Sequence, residues 1–183
     1  MFTATEPVIR NIKVGFRYNT ETRSVNDIKG ILTRLESKHL HNFSVLRSCY
    51  VYTIFWTGGY VNITGIRNRS EIDKSEKHIM NLMKLNTEDI TQQLEVHNIC
   101  ASGTFSKIID LERTRKYIKH NTSHRVTLNL EYFPALFIRI KKLGTCVLYR
   151  NGKYSLMAIR QFNQVEEFIK YLLMKKLCIF MKI

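Results

Sequence analysis

Apolar residues along this chain recur first at alternate positions and then at every third or fourth, and that order comes round twice. Val8 to Tyr18 alternates loosely and predicts a strand. Ser24 then offers a helix cap, with Asp27 in the first turn and Val25, Ile28, Ile31, Leu32 and Leu35 at helical spacing. Phe43 to Leu46 is a short apolar piece. Tyr50 to Trp56 and Tyr60 to Ile66 flank Thr57-Gly58-Gly59 and predict a hairpin. Ser70 is the expected cap of a helix running to about Lys84, and Leu85 to Leu94 reads as a polar connector. The second round opens with a strand from Glu95 to Phe105. A helix begins at Ser106 or Asp110, with Ile108, Leu111 and Ile118 on its apolar side. Strands follow at Arg125 to Leu130, Ala135 to Lys141, Thr145 to Arg150 and Lys153 to Arg160. Phe133-Pro134 forces a bend and Asn151-Gly152 a tight turn. Asn163 caps a last helix through about Leu177, whose basic and apolar continuation to Lys182 is expected to pack on the neighbouring half.

The duplication is also literal. Arg10-Asn11-Ile12-Lys13-Val14-Gly15-Phe16 is echoed by His97-Asn98-Ile99-Cys100-Ala101-Ser102-Gly103. About fifty residues after each Asn-Ile, an aromatic leads into a glycine turn, at Phe55 and at Tyr149. Two similar halves suggest a pseudo-symmetric body with a pseudo-symmetric ligand, and duplex DNA is such a ligand. Each half is α+β: strand, helix, antiparallel strands, helix. With its helices on one face, each sheet leaves the other face open. Tyr50, Tyr52, Phe55, Tyr60, Tyr149 and Tyr154, interleaved with Asn and Thr, are read onto that face. The mixture is too aromatic for an idle solvent face and too polar for a core, and it suits contact with bases or sugars.

Charge sharpens this picture. The chain has 183 residues, 44% of them hydrophobic, so it is long enough for one good-sized domain or two small ones sharing a core. Lys plus Arg number 29 against 15 acidic residues, a formal charge of +14, which points to an anionic partner. Residues 1–91 hold 13 basic and 9 acidic groups and the remainder 16 and 6, so the second half should carry more phosphate contact. The four cysteines lack zinc-site spacing and fit a reducing, intracellular compartment; Cys49 and Cys146 fall in strand-like apolar runs. His39 and His41 lie near no third ligand, so no metal is expected. No signal-peptide pattern opens the sequence. The uncharged run from Ser48 to Ile66 is broken by Gly58-Gly59, Asn62 and Thr64, so it reads as two strands and not as a membrane span. There is no glycine-rich phosphate loop and no nucleophile triad, and Asp110 and Glu112 read as helix-start charges. Neither an enzyme nor a cofactor is expected.

From about Pro7 to Met174 the pattern resembles the TATA-box-binding protein (TBP) core. Glu131-Tyr132-Phe133-Pro134-Ala135-Leu136-Phe137-Ile138-Arg139-Ile140 is similar to the family's Glu-Leu-Phe-Pro-Gly-Leu-Ile-Tyr-Arg-Met segment. Val147-Leu148-Tyr149-Arg150-Asn151-Gly152-Lys153 resembles its Leu-Ile-Phe-Val-Ser-Gly-Lys hairpin. Thr53 to Gly58 matches that hairpin in the first half, and Ile63-Thr64-Gly65-Ile66 is similar to its Val-Thr-Gly-Ala. The resemblance implies two repeats, 7–86 and 94–177, forming one saddle-shaped domain: a curved antiparallel sheet with helices on the convex side and the DNA minor groove on the concave side. It implies that Asn11 and Asn98 donate to base acceptors near the pseudo-dyad, that Phe55, Tyr149 and Phe133 are wedges, and that Thr64 lies on the groove floor. It further implies that Arg139 and Lys153, with Arg47 in the first half, meet phosphates. The convex helices and the loop with Asn129, Glu131 and Tyr132 would recruit a factor IIB-like protein and RNA polymerase.

This sequence departs from the family pattern in several places. Tyr149 replaces a Phe, Met157 a Thr, and Ala158-Ile159 a Gly-Ala; Lys13 and Cys100 replace valines. The first half has no clear counterpart of Phe133, with Phe43 or Leu40 as substitutes, and its hairpin is one residue longer. The expectation is retained but weaker or asymmetric bending, with relaxed A·T preference. The reading is a TBP-like initiation factor acting as a monomer on promoter DNA, without membrane contact. Its place is the nucleus, or a cytoplasmic replication site if the divergence marks a viral member. The alternative is a TBP-fold interaction subunit of a transcription or DNA-processing assembly, which Met157 and the missing wedge favour.

Overall fold

The computed structural model describes residues 3–175 and 177–179. The chain divides into two compact units, Asn11–His97 and, from both ends of the sequence, Met1–Arg10 with Asn98–Ile183.

In the first unit, β1 (Val8–Tyr18) leads to α1 (Val25–Arg34). Ser24 Oγ accepts from Asp27 N at 3.1 Å, which closes the start of α1 as the sequence implies. Three short strands follow: β2 (Lys38–His39), β3 (Phe43–Arg47) and β4 (Val51–Phe55). A 3-10 turn at Thr57–Gly59 reverses the chain into β5 (Tyr60–Ile66), and α2 (Ile72–Met83) completes the order. The sheet order is β2-β3-β4-β5-β1, and neighbouring strands pair antiparallel. Ser70 does not cap α2. A 3-10 turn at Arg69–Glu71 precedes the helix, and the Glu71 carboxylate takes Arg67 N at 3.0 Å and Asn68 Nδ2 at 3.2 Å.

The supposed connector after Leu85 is structured. Asn86 and Asp89 form a reciprocal capping box, and β6 (Ile90–Thr104) starts five residues earlier than expected. Asp89 is 7 % exposed and accepts from Asn86 N, Thr22 Oγ1 and Arg23 Nε. The backbone hydrogen bond from Asn86, with smaller help from Arg23 and Thr22, holds its carboxyl below the ordinary value of 3.8. A depressed folded-state value gives stability that is present above 3.8 and lost as pH falls through the folded value. Urea titrations from pH 6 down to 2 should show Asp89→Asn with a flatter acid limb than the wild type.

The second unit repeats the plan with longer strands. After β6 come α3 (Leu111–Asn121), β7 (Arg125–Asn129), β8 (Phe133–Ile140), β9 (Gly144–Tyr149), β10 (Lys153–Ile159) and α4 (Asn163–Met174). The sheet order is β6-β10-β9-β8-β7, with neighbouring strands antiparallel. Asp110 is the cap of α3, accepting from Arg113 N at 3.0 Å, so Ile108 lies before the helix and is exposed. Phe133-Pro134 sits inside β8, where a register shift against Asn129 accommodates the bend. Asn163 is the first residue of α4 and not its cap; its Nδ2 donates to Glu167. Leu177 and Cys178 are buried, and Ile179 exchanges hydrogen bonds with Asp110 and Thr114 of the same unit. Lys176 and residues 180–183, to which the expected helix end and tail packing extended, lie outside the described residues.

Helices cover one face of each sheet because only one face of each is apolar throughout. In the first unit Ile28, Leu32, Ile79 and Met83 are buried, as are Ile12, Val14, Phe16, Ile54, Val61 and Ile63 of the sheet. In the second, Ile118, Phe168 and Leu172 are buried, as are Ile99, Leu136, Ile138, Leu148 and Leu156 of the sheet. Each such side chain contributes about 1.5–3 kcal/mol of burial. Cys146 is buried in the second core, which pushes its thiol well up, whereas Cys49 lies exposed in a bend and not in a strand.

Candidate nucleic-acid interface

Alternation along each strand fixes what the uncovered faces present. In the first unit they are Asn11, Lys13, Gly15 and Arg17 of β1, Tyr60, Asn62 and Thr64 of β5, Val51, Thr53 and Phe55 of β4, and Phe43, Val45 and Arg47 of β3. In the second they are Asn98, Cys100, Ser102 and Thr104 of β6, Lys153, Ser155 and Met157 of β10, Thr145, Val147 and Tyr149 of β9, and Phe137 and Arg139 of β8. Tyr52 and Tyr154 do not belong to this set. They are 0 % and 1 % exposed on the helix side, Tyr52 stacked on His78 and Tyr154 against Phe105. Burial pushes the hydroxyl of Tyr154 up to about 12 and that of Tyr52 higher still. Tyr50 precedes β4.

The two asparagines have the same geometry. Asn11 Oδ1 accepts from Gly65 N at 2.8 Å, and Asn98 Oδ1 accepts from Ala158 N at 2.7 Å. Each bond closes a bulge, where the register shifts between Ile12 and Val14 and between Leu156 and Ile159. With the oxygen committed inward, the amide nitrogen is the end left for a ligand. Asn98 Nδ2 spends one hydrogen on Cys100 Sγ at 3.2 Å. Thr64 stands at the first bulge and its Oγ1 reaches Val51 O at 3.4 Å; Met157 holds the equivalent place in the second.

The bulges differ in strain. Gly65 takes φ 92°, a region glycine enters readily, while Ala158 is held at φ 59°. A left-handed alanine costs about 1–2 kcal/mol, partly offset by glycine's greater freedom when unfolded. Ala158→Gly should therefore stabilise the protein by about 1 kcal/mol and raise the melting midpoint by about 2–4 °C, read by calorimetry.

Three aromatic rings gather at each hairpin. Phe43 and Phe55 lie 5.5 Å apart and Phe55 and Tyr60 6.3 Å apart. Phe133 is 5.5 Å from Phe137 and 6.1 Å from Tyr149. Phe55 and Tyr149 are half-buried, and Phe133 is 41 % exposed. Register settles the counterpart of Phe133. Phe43 pairs with Phe55 as Ala135 pairs with Tyr149, so His41 occupies the position of Phe133, and Phe43, two residues on, brings its ring to Phe55. Leu40 lies in the preceding turn. The same register makes Arg47 the counterpart of Arg139, opposite Val51 and Thr145 respectively. Both arginines and Lys153 are exposed.

Tyr60 replaces a lysine at the position of Lys153 and changes the first face. Its ring lies under Arg17 at 5.5 Å and its hydroxyl is 2.5 Å from His97 Nε2, across Gly15, where a Cβ would collide with it. Burial raises the Tyr60 hydroxyl, against the opposing pull of Arg17. At the β7–β8 turn Asn129 Oδ1 accepts from Glu131 N at 3.3 Å, and Tyr132 is 85 % exposed beside Leu130. Among the described residues no group of three His, Cys, Asp or Glu side chains is placed to hold a metal, and no helix is long and apolar enough to cross a membrane.

Residues 93–176 match the family model described as transcription factor TFIID, or TATA-binding protein. Among solved structures, Methanococcus jannaschii TBP superposes with a TM-score of 0.70 at 19% identity, over 92% of this chain and 96% of that one. A heterotetrameric sarcosine oxidase from Corynebacterium sp. U-96 covers 94% of this chain and 84% of its own, at 10% identity. Its TM-score is 0.35. No curated protein sequence matches significantly. The chain has a divergent TBP-like core fold, and its second half matches the TBP family model.

Proposed function

We propose that this is a TBP-like DNA-binding transcription factor that grips promoter DNA through the minor groove and bends it. The observation that carries the reading is the paired asparagine geometry, with the oxygen pinned by a bulge N–H and the nitrogen left to donate, once in each half. A·T pairs present only acceptors in the minor groove, which is what such an amide requires. The ring clusters supply wedges: unstacking a base step costs a few kcal/mol, regained by the extra surface a bent duplex buries. TBP is itself the standard instance of that behaviour. Arg47, Arg139 and Lys153 take phosphates, and the two repeats, about 7–86 and 94–177, act on one duplex. The exposed turn of Asn129, Glu131 and Tyr132 receives a factor IIB-like protein and, through it, RNA polymerase. The factor acts as a monomer on DNA, in the nucleus or at a viral replication site.

Salt separates this reading from its rival. Three phosphate contacts give a slope of log affinity against log salt of about −3, steeper if more cations engage. Anisotropy titrations on an A·T-rich duplex between 50 and 300 mM salt should show that slope. The rival is an interaction subunit with the fold kept and the groove face degraded. The replacement of a wedge position by His41 and the strained Ala158 bulge favour it. It requires weak binding that scarcely changes with salt.

A further inference from the structure

Opposite each bulge stands one residue that decides what the nearby asparagine can do. In the first unit the register passes from Ile12 opposite Ile66 to Val14 opposite Ile63, so Lys13 faces Thr64 and Gly65. In the second it passes from Leu156 opposite Ala101 to Ile159 opposite Ile99, so Cys100 faces Met157 and Ala158. Lys13, Thr64, Cys100 and Met157 are all half-buried on the open faces.

The two places have opposite hydrogen-bonding character. Among the described residues nothing accepts from Asn11 Nδ2, and Lys13 is in no ion pair. The first place therefore presents both hydrogens of an amide and those of an ammonium; Thr64 adds a hydroxyl, so donors outnumber acceptors. In the second, Asn98 Nδ2 already gives one hydrogen to Cys100 Sγ at 3.2 Å. Met157 brings a thioether, which accepts and has no hydrogen to give. One amide hydrogen is left there, beside two polarizable sulfur atoms.

These characters suit different base pairs. In the minor groove an A·T pair shows only acceptors, whereas a G·C pair adds the 2-amino donor of guanine. Against the first place that amino group meets donors and a positive charge, and it is left without a partner once water is excluded. Against the second it meets sulfur, a weak acceptor that still gives its hydrogens a partner. We propose that Lys13 and Cys100 give the two halves different sequence requirements: the Asn11 half demands pairs without a minor-groove amino group, and the Asn98 half admits guanine. The inference rests on the minor-groove reading and deepens it, because the site it implies is one of mixed composition.

The test uses duplexes that differ chiefly in that amino group. An inosine·cytosine pair is a G·C pair without it. One core therefore has inosine·cytosine in both halves, a second has guanine in one half, and a third has guanine in both. Anisotropy titrations of the full chain give the affinity for each. The wild type should bind the singly substituted core within about threefold of the unsubstituted one, by setting its Asn98 half on the guanines, and lose about 10- to 100-fold on the doubly substituted core. Cys100→Val removes a sulfur acceptor and returns the hydrogen to Asn98, so it should lose about 10-fold or more on the singly substituted core. Lys13→Cys should recover most of the loss on the doubly substituted core. Each ratio is taken within one variant, so a general change in affinity cancels, and melting midpoints show that both variants fold. Equal losses from the first and second substitution, no loss from either, or ratios that both variants leave unchanged overturn the inference while the groove reading stands. A wild type that binds none of the three duplexes overturns the groove reading and this inference with it.

Discussion

Asn11→Asp combined with Asn98→Asp should weaken binding to an A·T-rich duplex at least about 100-fold while leaving the protein folded. A carboxylate oxygen still accepts from Gly65 N and Ala158 N, the bonds that close the two bulges. What disappears is the donor. Each lost hydrogen bond is worth about 1 kcal/mol, and a new negative charge facing base acceptors and phosphates adds to that, so two sites together exceed about 2.7 kcal/mol. Alanine is the poorer probe, because it leaves two backbone N–H groups without acceptors and mixes folding with binding. Anisotropy gives the affinity, and circular dichroism melting shows that the fold persists. Binding within about threefold of the wild type would mean that the amides serve the bulges alone.

Phe133→Ala with Tyr149→Ala should remove most of the bend contributed by the second half and reduce affinity by about 10- to 100-fold. A 41 % exposed Phe133 beside a half-buried Tyr149 offers ring surface that a base step would cover. Stability should change little, because these rings pack on one another outside the helix-covered core. Phe43→Ala with Phe55→Ala makes the matching test of the first half, with Phe43 supplying the ring that His41 does not. Tyr149→Phe should bend DNA at least as well as the wild type, since an inserted tyrosine must find a partner for its hydroxyl. Resonance energy transfer between the duplex ends reads all three variants. Equal transfer efficiency for wild type and the Phe133/Tyr149 variant would exclude those rings as wedges.

Much of the fold can be read from the chain because its signals are local. Ser24 and Asp110 announce their helices, Gly58-Gly59 and Asn151-Gly152 their turns, and the β-branched runs their strands. The two asparagines stand out through duplication alone. Other features depend on which neighbour a residue meets. Tyr52 and Tyr154 look like open-face residues by composition, but strand alternation puts them on the other face from Phe55 and Tyr149, under the helices. Thr91, Gln92 and Gln93 are polar enough to pass for a connector, yet they lie within β6. The two-residue β2 is too short to leave a pattern, whereas its counterpart β7 runs for five residues. The place of Phe43 opposite Phe55 needed the register, because His41 and not Phe43 has the spacing of Phe133.

The most direct measurement of the central claim is the end-to-end distance of a doubly labelled A·T-rich duplex of about 25 base pairs, titrated with the wild-type chain at 100 mM salt. Minor-groove binding with wedging requires the ends to approach as binding saturates, and the approach to vanish with Asn11→Asp/Asn98→Asp. A duplex that becomes fully bound with its end-to-end distance unchanged would contradict the account.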